Sequence, residues 1–137
     1  MNTDLVYISD SNIKDAGKGV FSKKFIRSGK KLGEYIGDYY KINNDLEEIY
    51  ETIYKKSGTD QYVMGISGKN GSVYALIDGK NNGNWISLIN GAKTIDQFKY
   101  INCEFYQYKK RMYIKSKKDI QKNEELIIDY GSGYRWD

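Results

Sequence analysis

Apolar positions along this chain come in short runs, most of them alternating with polar ones, and a single run carries a helical period. Alternation marks a half-buried strand, whereas apolar residues at i, i+3, i+4 and i+7 mark an amphipathic helix. Leu5-Val6-Tyr7-Ile8 predicts a first strand, closed by the turn-forming Ser9-Asp10-Ser11-Asn12. Val20-Phe21 begins a second, followed by an exposed turn at Arg27-Ser28-Gly29-Lys30. Leu32 to Gly37 predicts a third, with Gly37 at a bulge or a close approach of backbone. The helical run is Asn43 to Lys56. Leu46, Ile49, Tyr50 and Ile53 form its apolar stripe, Glu47, Glu48 and Glu51 its other face. Asn43 or Asn44 offers the cap, and Ser57-Gly58-Thr59-Asp60 stops it.

Tyr62 to Ile66 and Ser72 to Asp78 predict a hairpin turning around Lys69-Asn70-Gly71. Gly79 to Asn84 reads as a polar loop, Trp85 to Asn90 as an apolar segment ending at Asn90-Gly91, and Lys93 to Lys99 as a further loop. Tyr100 to Tyr108 and Arg111 to Ser116 predict a second hairpin around Lys109-Lys110. Glu124-Glu125-Leu126-Ile127-Ile128-Asp129-Tyr130-Gly131 reads as a charged turn, a short buried strand, and a tyrosine at the strand's end beside a glycine. A tyrosine so placed can keep its ring in the protein and its hydroxyl in a cleft. Eight or nine short strands, one helix, no repeat and no linker predict a single, mainly β domain over residues 1–137.

Composition narrows the chemistry. The 137 residues suffice for one core. With no proline, the turns depend on Gly, Asn, Asp and Ser. No apolar stretch approaches the roughly 18 residues of a membrane span. The start, Met1-Asn2-Thr3-Asp4, lacks the basic and apolar regions of a signal peptide, so an intracellular protein is expected. One cysteine, Cys103, and no histidine exclude an internal disulfide, a Cys/His zinc site and Ser-His-Asp catalysis. No metal site is expected, and acid–base work falls to Tyr, Lys or a carboxylate.

Charge is segregated. Residues 14–31 carry seven basic and one acidic side chain, residues 32–60 three basic and seven acidic, and residues 99–122 eight basic and two acidic. An acidic segment between basic ones suits a cationic peptide, and the basic stretches suit nucleic acid. Asp15-Ala16-Gly17-Lys18-Gly19-Val20-Phe21 sets two glycines around one residue, a turn that brings bare backbone close to a ligand. It is no dinucleotide fingerprint, because the third glycine would fall at Ser22 and no helix pattern follows.

In their order these motifs resemble the SET-domain protein lysine methyltransferases. Gly17-Lys18-Gly19-Val20-Phe21 looks like the family's first motif, and Gly29 to Gly37, with its Glu34-Tyr35-Ile36-Gly37 ending, is similar to the strand that follows. Gly83-Asn84-Trp85-Ile86-Ser87-Leu88-Ile89-Asn90 resembles Gly-Asn-x-x-Arg-Phe-Ile-Asn, Asn102-Cys103 the later Asn-Cys, and residues 124–131 the last motif. The chain departs from the family at Asn90-Gly91-Ala92 in place of Asn-His-Ser, at Ser87 in place of Arg, in lacking the proline before Asn-Cys, and in a longer loop from Gly91 to Ile101. Without cysteine-rich flanks, it is most similar to the compact viral members. Its bias toward Ile, Lys, Asn and Tyr fits an AT-rich genome such as that of a large DNA virus.

The resemblance implies a SET (β-clip) fold of small curved sheets with a C-terminal pseudoknot and one short inserted helix, the knot bringing Asn90 beside Tyr130. It implies transfer of methyl from S-adenosylmethionine to lysine of a basic protein, with a histone tail as a candidate substrate. Tyr130 and Tyr35 take the catalytic places. Gly17, Lys18, Gly19, Tyr62, Asn90, Gly91 and Trp136 take the cofactor places, and Phe105, Ile128 and Tyr134 those of the substrate. It also implies a homodimer, a location in nucleus or cytoplasm (of the host cell if viral), no membrane, and no nucleic acid as direct ligand. Two other readings stand beside it. One is a degenerate SET domain that binds a partner without turnover, as Gly91 and Ser87 suggest. The other is a small basic nucleic-acid-binding β-domain that uses residues 99–122 with Tyr100, Tyr106, Tyr108 and Tyr113 as stacking platforms.

Overall fold

The computed structural model describes residues 3–42 and 45–129, and the chain folds as expected from small sheets. Strands β1 (Val6–Asp10) and β2 (Lys18–Ser22) form an antiparallel pair. Strands β3 (Lys31–Glu34), β7 (Asn90–Gly91), β8 (Cys103–Tyr108), β9 (Arg111–Ser116) and β10 (Ile127–Asp129) form a sheet of order β3-β9-β8-β10-β7. Strands β4 (Asp38–Lys41), β5 (Val63–Ser67) and β6 (Val73–Asp78) form a third sheet, of order β4-β6-β5. One helix has more than one turn, α1 (Leu46–Ser57); α2 (Gly79–Asn82), α3 (Ile95–Phe98) and a 3-10 turn at Trp85–Leu88 are single turns.

The chain divides into two compact units. The first comprises Met1–Gly33, Leu88–Tyr106 and Tyr113–Asp137, the second Glu34–Ser87 and Gln107–Met112. The core of the first gathers Val6, Val20, Ile26, Ile114, Ile120, Leu126 and Ile128, all at most 2% exposed. In the second, Ile53 of α1 packs with Val63 and Leu76 of the sheet, and Ile49 and Tyr50 flank them.

Local chemistry explains the elements. Asp45, in extended conformation, caps α1 by accepting the Glu48 N–H at 3.2 Å, so the helix starts at Leu46 rather than Asn43. The expected caps Asn43 and Asn44 lie outside the described residues. Gly58 ends the helix at φ 75°, donating its N–H to Tyr54 O at 2.9 Å. Leu46 does not join the apolar stripe: it is the helix's first residue and 45% exposed. The β5–β6 hairpin turns through Gly71 at φ +83°, and Lys109 holds the second hairpin's turn at φ 57°.

Elsewhere the expectations need correction. The Tyr39-Tyr40 segment is a strand, β4, pairing residue for residue with β6. The two stretches read as loops, 79–84 and 93–99, each hold a helical turn, the first capped by Asp78 accepting from Lys80 N–H. Gly37 is a close approach: a Cβ there would lie 2.2 Å from the Asp78 carbonyl oxygen. Since backbone cannot yield as a flexible side chain can, Gly37→Ala is expected to cost about 1–3 kcal/mol. A lowered urea midpoint at unchanged slope would register it, and an unchanged midpoint would refute the contact.

Candidate functional site

In the first unit, a buried carboxylate joins three segments that are far apart in sequence. Glu125 is 6% exposed, although the Glu124-Glu125 pair reads as a charged turn. Its neighbourhood is fixed by backbone: residues 124–126 lie against β2, with Ser22 N–H donating to Glu124 O at 3.0 Å and Leu126 N–H to Val20 O at 2.8 Å. That zipper carries the Glu125 side chain inward. There it accepts from Ser11 Oγ at 2.7 Å, from the Asn12 N–H at 2.8 Å and from Asn90 Nδ2 at 3.2 Å. A buried charge is tolerable when such donors surround it.

Gly19 is the counterpart of this carboxylate. A Cβ on Gly19 would lie 2.2 Å from Glu125 Oε2 and 3.2 Å from Asn90 Nδ2. The second glycine of Gly17-Lys18-Gly19 is thus required by packing. Gly17 is required by conformation, at φ +73°, with open space where its side chain would stand. Its carbonyl closes the loop between β1 and β2 by accepting the Ser11 N–H at 2.8 Å. Lys18 is exposed, and its ammonium pairs with Asp10 at 2.6 Å.

Asn90 ties the second segment in. Its amide donates to Lys18 O at 3.0 Å, across 72 residues of sequence. Asn90 and Gly91, expected to end an apolar segment, form β7, a two-residue strand parallel to β10 in which Asn90 faces Ile127 and Gly91 faces Ile128. Ile128 also faces Cys103 of β8, so β10 lies between two strands and parallel to both. This is the crossing that the last motif was expected to build.

Asn102 secures that crossing and is fully buried. Its amide donates to Glu125 O at 2.9 Å and Glu124 Oε2 at 3.1 Å, and its Oδ1 accepts the Ile127 N–H at 2.9 Å. Cys103 beside it is buried, and burial together with nearby Glu124 pushes its thiol well above the ordinary range. It is a packing residue, not a nucleophile.

The second unit holds the other two predicted residues within the described region. Tyr35 is 3% exposed, and its hydroxyl donates to the Tyr62 carbonyl, which also accepts the Gly79 N–H at 3.0 Å. Lys80 Nζ lies 5.7 Å from the centroid of the half-buried Tyr62 ring. Ser87, where a family arginine was expected, is buried, and its Oγ donates to Asn84 O at 3.0 Å. A Cβ on Gly79 would lie 2.9 Å from Ser87 Cβ and 3.0 Å from the Tyr35 hydroxyl, so this packing has no room for a long side chain.

The first unit therefore brings together Gly17, Lys18, Gly19, Asn90, Gly91 and Ile128, with Phe105 farther along β8; the second brings together Tyr35 and Tyr62. Tyr130, Tyr134 and Trp136 lie outside the described residues. Sequence reasoning missed Glu125, Ser11 and Lys80. For Glu125 the available signal was its fixed offset before Tyr130 in the last motif; the other two carry no local signal. Among the described residues no helix is long and apolar enough to cross a membrane.

The SET domain family profile matches residues 17–131, and the chain belongs to that family. Over 116 residues it is 33% identical to mouse PR domain zinc finger protein 14, covering 85% of this chain and 18% of that protein. Over 132 residues it is 30% identical to Caenorhabditis elegans histone-lysine N-methyltransferase set-17, covering 95% of this chain and 42% of the relative. The chain thus spans less than half the length of either relative. Its fold is similar to that of the Chaetomium thermophilum Polycomb Repressive Complex 2 solved in an autoinhibited conformation bound to S-adenosylmethionine. That likeness has a TM-score of 0.72 over 95% of this chain and 15% of that one, at 22% identity.

Proposed function

We propose that this chain binds S-adenosylmethionine and methylates lysine in a basic protein, with a histone tail as the substrate class. The observation that carries the reading is the joining of Gly17-Lys18-Gly19 to Asn90-Gly91 around Glu125. Backbone at Gly17 borders open space that a Cβ would fill, which suits a ligand held by main-chain groups. The histone-lysine N-methyltransferase name of the nematode relative supports the activity class.

When bound, S-adenosylmethionine supplies an electrophilic methyl on a sulfonium. Every other requirement falls on the chain. Gly17, Lys18 and Gly19 hold the methionine end through backbone. Tyr62, with the Lys80 ammonium near its ring, suits that end's carboxylate. Asn90 and Gly91 would bind the adenine end, and Trp136 takes the place of the family's covering aromatic. The acceptor amine must be neutral, although free lysine has a pKa of about 10.4. Apolar surroundings would disfavour the charged form, and a cationic sulfonium would do so further; Phe105, Ile128 and Tyr134 take the substrate places that the family resemblance assigns. Tyr130 would orient the amine, and Tyr35, whose hydroxyl is held by the Tyr62 carbonyl, takes the second catalytic place that the resemblance assigns. Aligning amine and methyl provides much of the acceleration.

Calorimetric titration tests the cofactor step. Saturable binding of S-adenosylmethionine is expected, and Asn90→Leu is expected to abolish it with the fold intact. Unchanged affinity in that variant would remove Asn90 from the site. Binding without turnover on any peptide would favour the degenerate-domain reading.

The acidic face of α1 offers a landing surface for a basic tail, because Asp45, Glu47, Glu48 and Glu51 are all exposed. Glu47→Lys/Glu51→Lys leaves the Asp45 cap in place. It is expected to raise the substrate KM about threefold to tenfold at low ionic strength, with little effect at high salt and little change in kcat. A KM unmoved at low salt would reduce this face to an ordinary solvated helix surface.

A further inference from the structure

Two basic runs that are far apart in sequence become one surface in the first unit. Residues 23–31 carry five basic side chains, Lys23, Lys24, Arg27, Lys30 and Lys31, and no acidic one. Residues 115–122 carry four lysines and one acid, Asp119. An antiparallel bridge between Ile26 and Ile120 locks the runs together, with reciprocal N–H to O hydrogen bonds of 2.8 Å. Ser116 extends the seam. Its N–H donates to Lys30 O at 2.9 Å, its Oγ donates to Arg27 O at 2.6 Å, and its carbonyl accepts the Gly29 N–H at 2.8 Å. Asp119, the sole acid, is engaged with the Ser28 N–H at 2.8 Å. Both apolar residues of the bridge are buried, at 1% and 0% exposure, so the seam is part of the core and not a loose loop contact.

Lys115 pairs with Glu104 at 3.9 Å, but much of the seam's charge has no such partner. Lys24, Arg27, Lys30, Lys117 and Lys122 are exposed, and among the described residues none of them pairs with a carboxylate. A shallow, open cleft of about 490 Å³ runs along one side, lined by Phe25 through Lys30. Clustering cations costs self-repulsion that folding alone does not reward, and a bound polyanion offsets it.

We propose that this seam binds the phosphate backbone of double-helical DNA without reading its sequence. A regular array of phosphates suits several exposed, carboxylate-free cations carried on a rigid support. Two aromatic residues of this unit, Tyr106 and Tyr113, favour a duplex over an unstacked strand, whereas Phe25, 53% exposed in the cleft, leaves a ring open to stacking, so a single-stranded comparison is part of the test. The Tyr106 and Tyr113 rings stack on each other at 5.6 Å, with Lys31 Nζ 4.0 Å from the Tyr113 centroid and Lys115 Nζ 5.3 Å from that of Tyr106. Their faces are occupied, and single-strand binding depends on free stacking faces. The proposal is independent of the methyltransferase reading, since it uses none of the residues assigned to cofactor or lysine.

Fluorescence anisotropy with a labelled duplex of roughly 20 mixed-sequence base pairs tests it. Binding is expected at low salt, with a log–log salt slope of about −4 to −5 from some five phosphates displaced. Lys24→Glu/Arg27→Glu/Lys117→Glu is expected to weaken binding at least about tenfold, whereas Lys55→Glu/Lys56→Glu/Lys69→Glu, equal in charge change but in the second unit, stays within about threefold. Arg27→Gln, too mild to threaten the fold, should lower the slope by about one phosphate. Equal loss in the two triple variants would make net charge the cause and overturn the site. Tighter binding of a single-stranded RNA of the same length, or no duplex binding at low salt, would overturn it as well.

Discussion

Tyr130→Phe is expected to lower turnover on a lysine peptide about 10²- to 10³-fold, while affinity for S-adenosylmethionine changes less than about threefold. Under the proposed function the substitution removes only the hydroxyl that would orient the amine. Tyr130 lies outside the described residues, so the expectation rests on its place in the last motif and on the strand that leads to it. That strand is well defined: Ile128, two residues earlier, faces Gly91 on one side and Cys103 on the other. Single-turnover kinetics with saturating cofactor separate the outcomes. A parallel loss of cofactor binding would make Tyr130 a structural residue, and unchanged turnover would remove it from the chemistry.

Gly19→Ala is expected to have the second large effect. The new Cβ would sit 2.2 Å from Glu125 Oε2, so the carboxylate must leave its place. Its displacement breaks the bonds from Ser11 Oγ and the Asn12 N–H and leaves the Asn90 amide with its bond to Lys18 O. The carboxylate is the end of a flexible side chain and can recover part of its hydrogen bonding elsewhere, so a stability loss on the order of 2–4 kcal/mol is expected, less than the full loss of all three bonds. Cofactor affinity should fall at least about tenfold, even below the temperature at which the variant unfolds. Gly17→Ala is the comparison. It meets no atom within 4 Å and carries only the strain of φ +73°, about 1–2 kcal/mol. Equal costs for the two variants, by chemical denaturation, would show that the Glu125 carboxylate does not organise the site.

The sequence was readable where local chemistry decides the structure. Both hairpins, the helix stripe of Ile49, Tyr50 and Ile53, and the stop at Gly58 follow from periodicity and turn residues. Gly37 was legible as a close approach, though nothing local identified Asp78 as its partner. What stayed hidden depends on distant pairing. Glu125 looks like half of a charged turn until β2 draws residues 124–126 inward and Ser11, Asn12 and Asn90 supply its donors. Asn90 looks like the end of an apolar segment until β10 arrives beside it. Asn102 was visible as half of an Asn-Cys pair, but its work, holding residues 124–127 by three hydrogen bonds, appears only in the fold. β4 was missed because a four-residue Tyr-rich segment carries too short an alternation to distinguish a strand from a loop. The basic runs were each visible, but a run alone is an ordinary solvated face, and the Ile26–Ile120 bridge is what makes them one surface.

Transfer of methyl groups from S-adenosylmethionine to lysine is read from the mass of the product. A basic histone-tail peptide array is incubated with the protein and excess S-adenosylmethionine, and each peptide is weighed by mass spectrometry. Neither Ile128 nor Phe105 offers a hydroxyl that would restrain repeated transfer in the channel. The account therefore predicts a lysine carrying more than one methyl group, and almost none with Tyr130→Phe. A protein that binds the cofactor yet adds no methyl group to any lysine would contradict it.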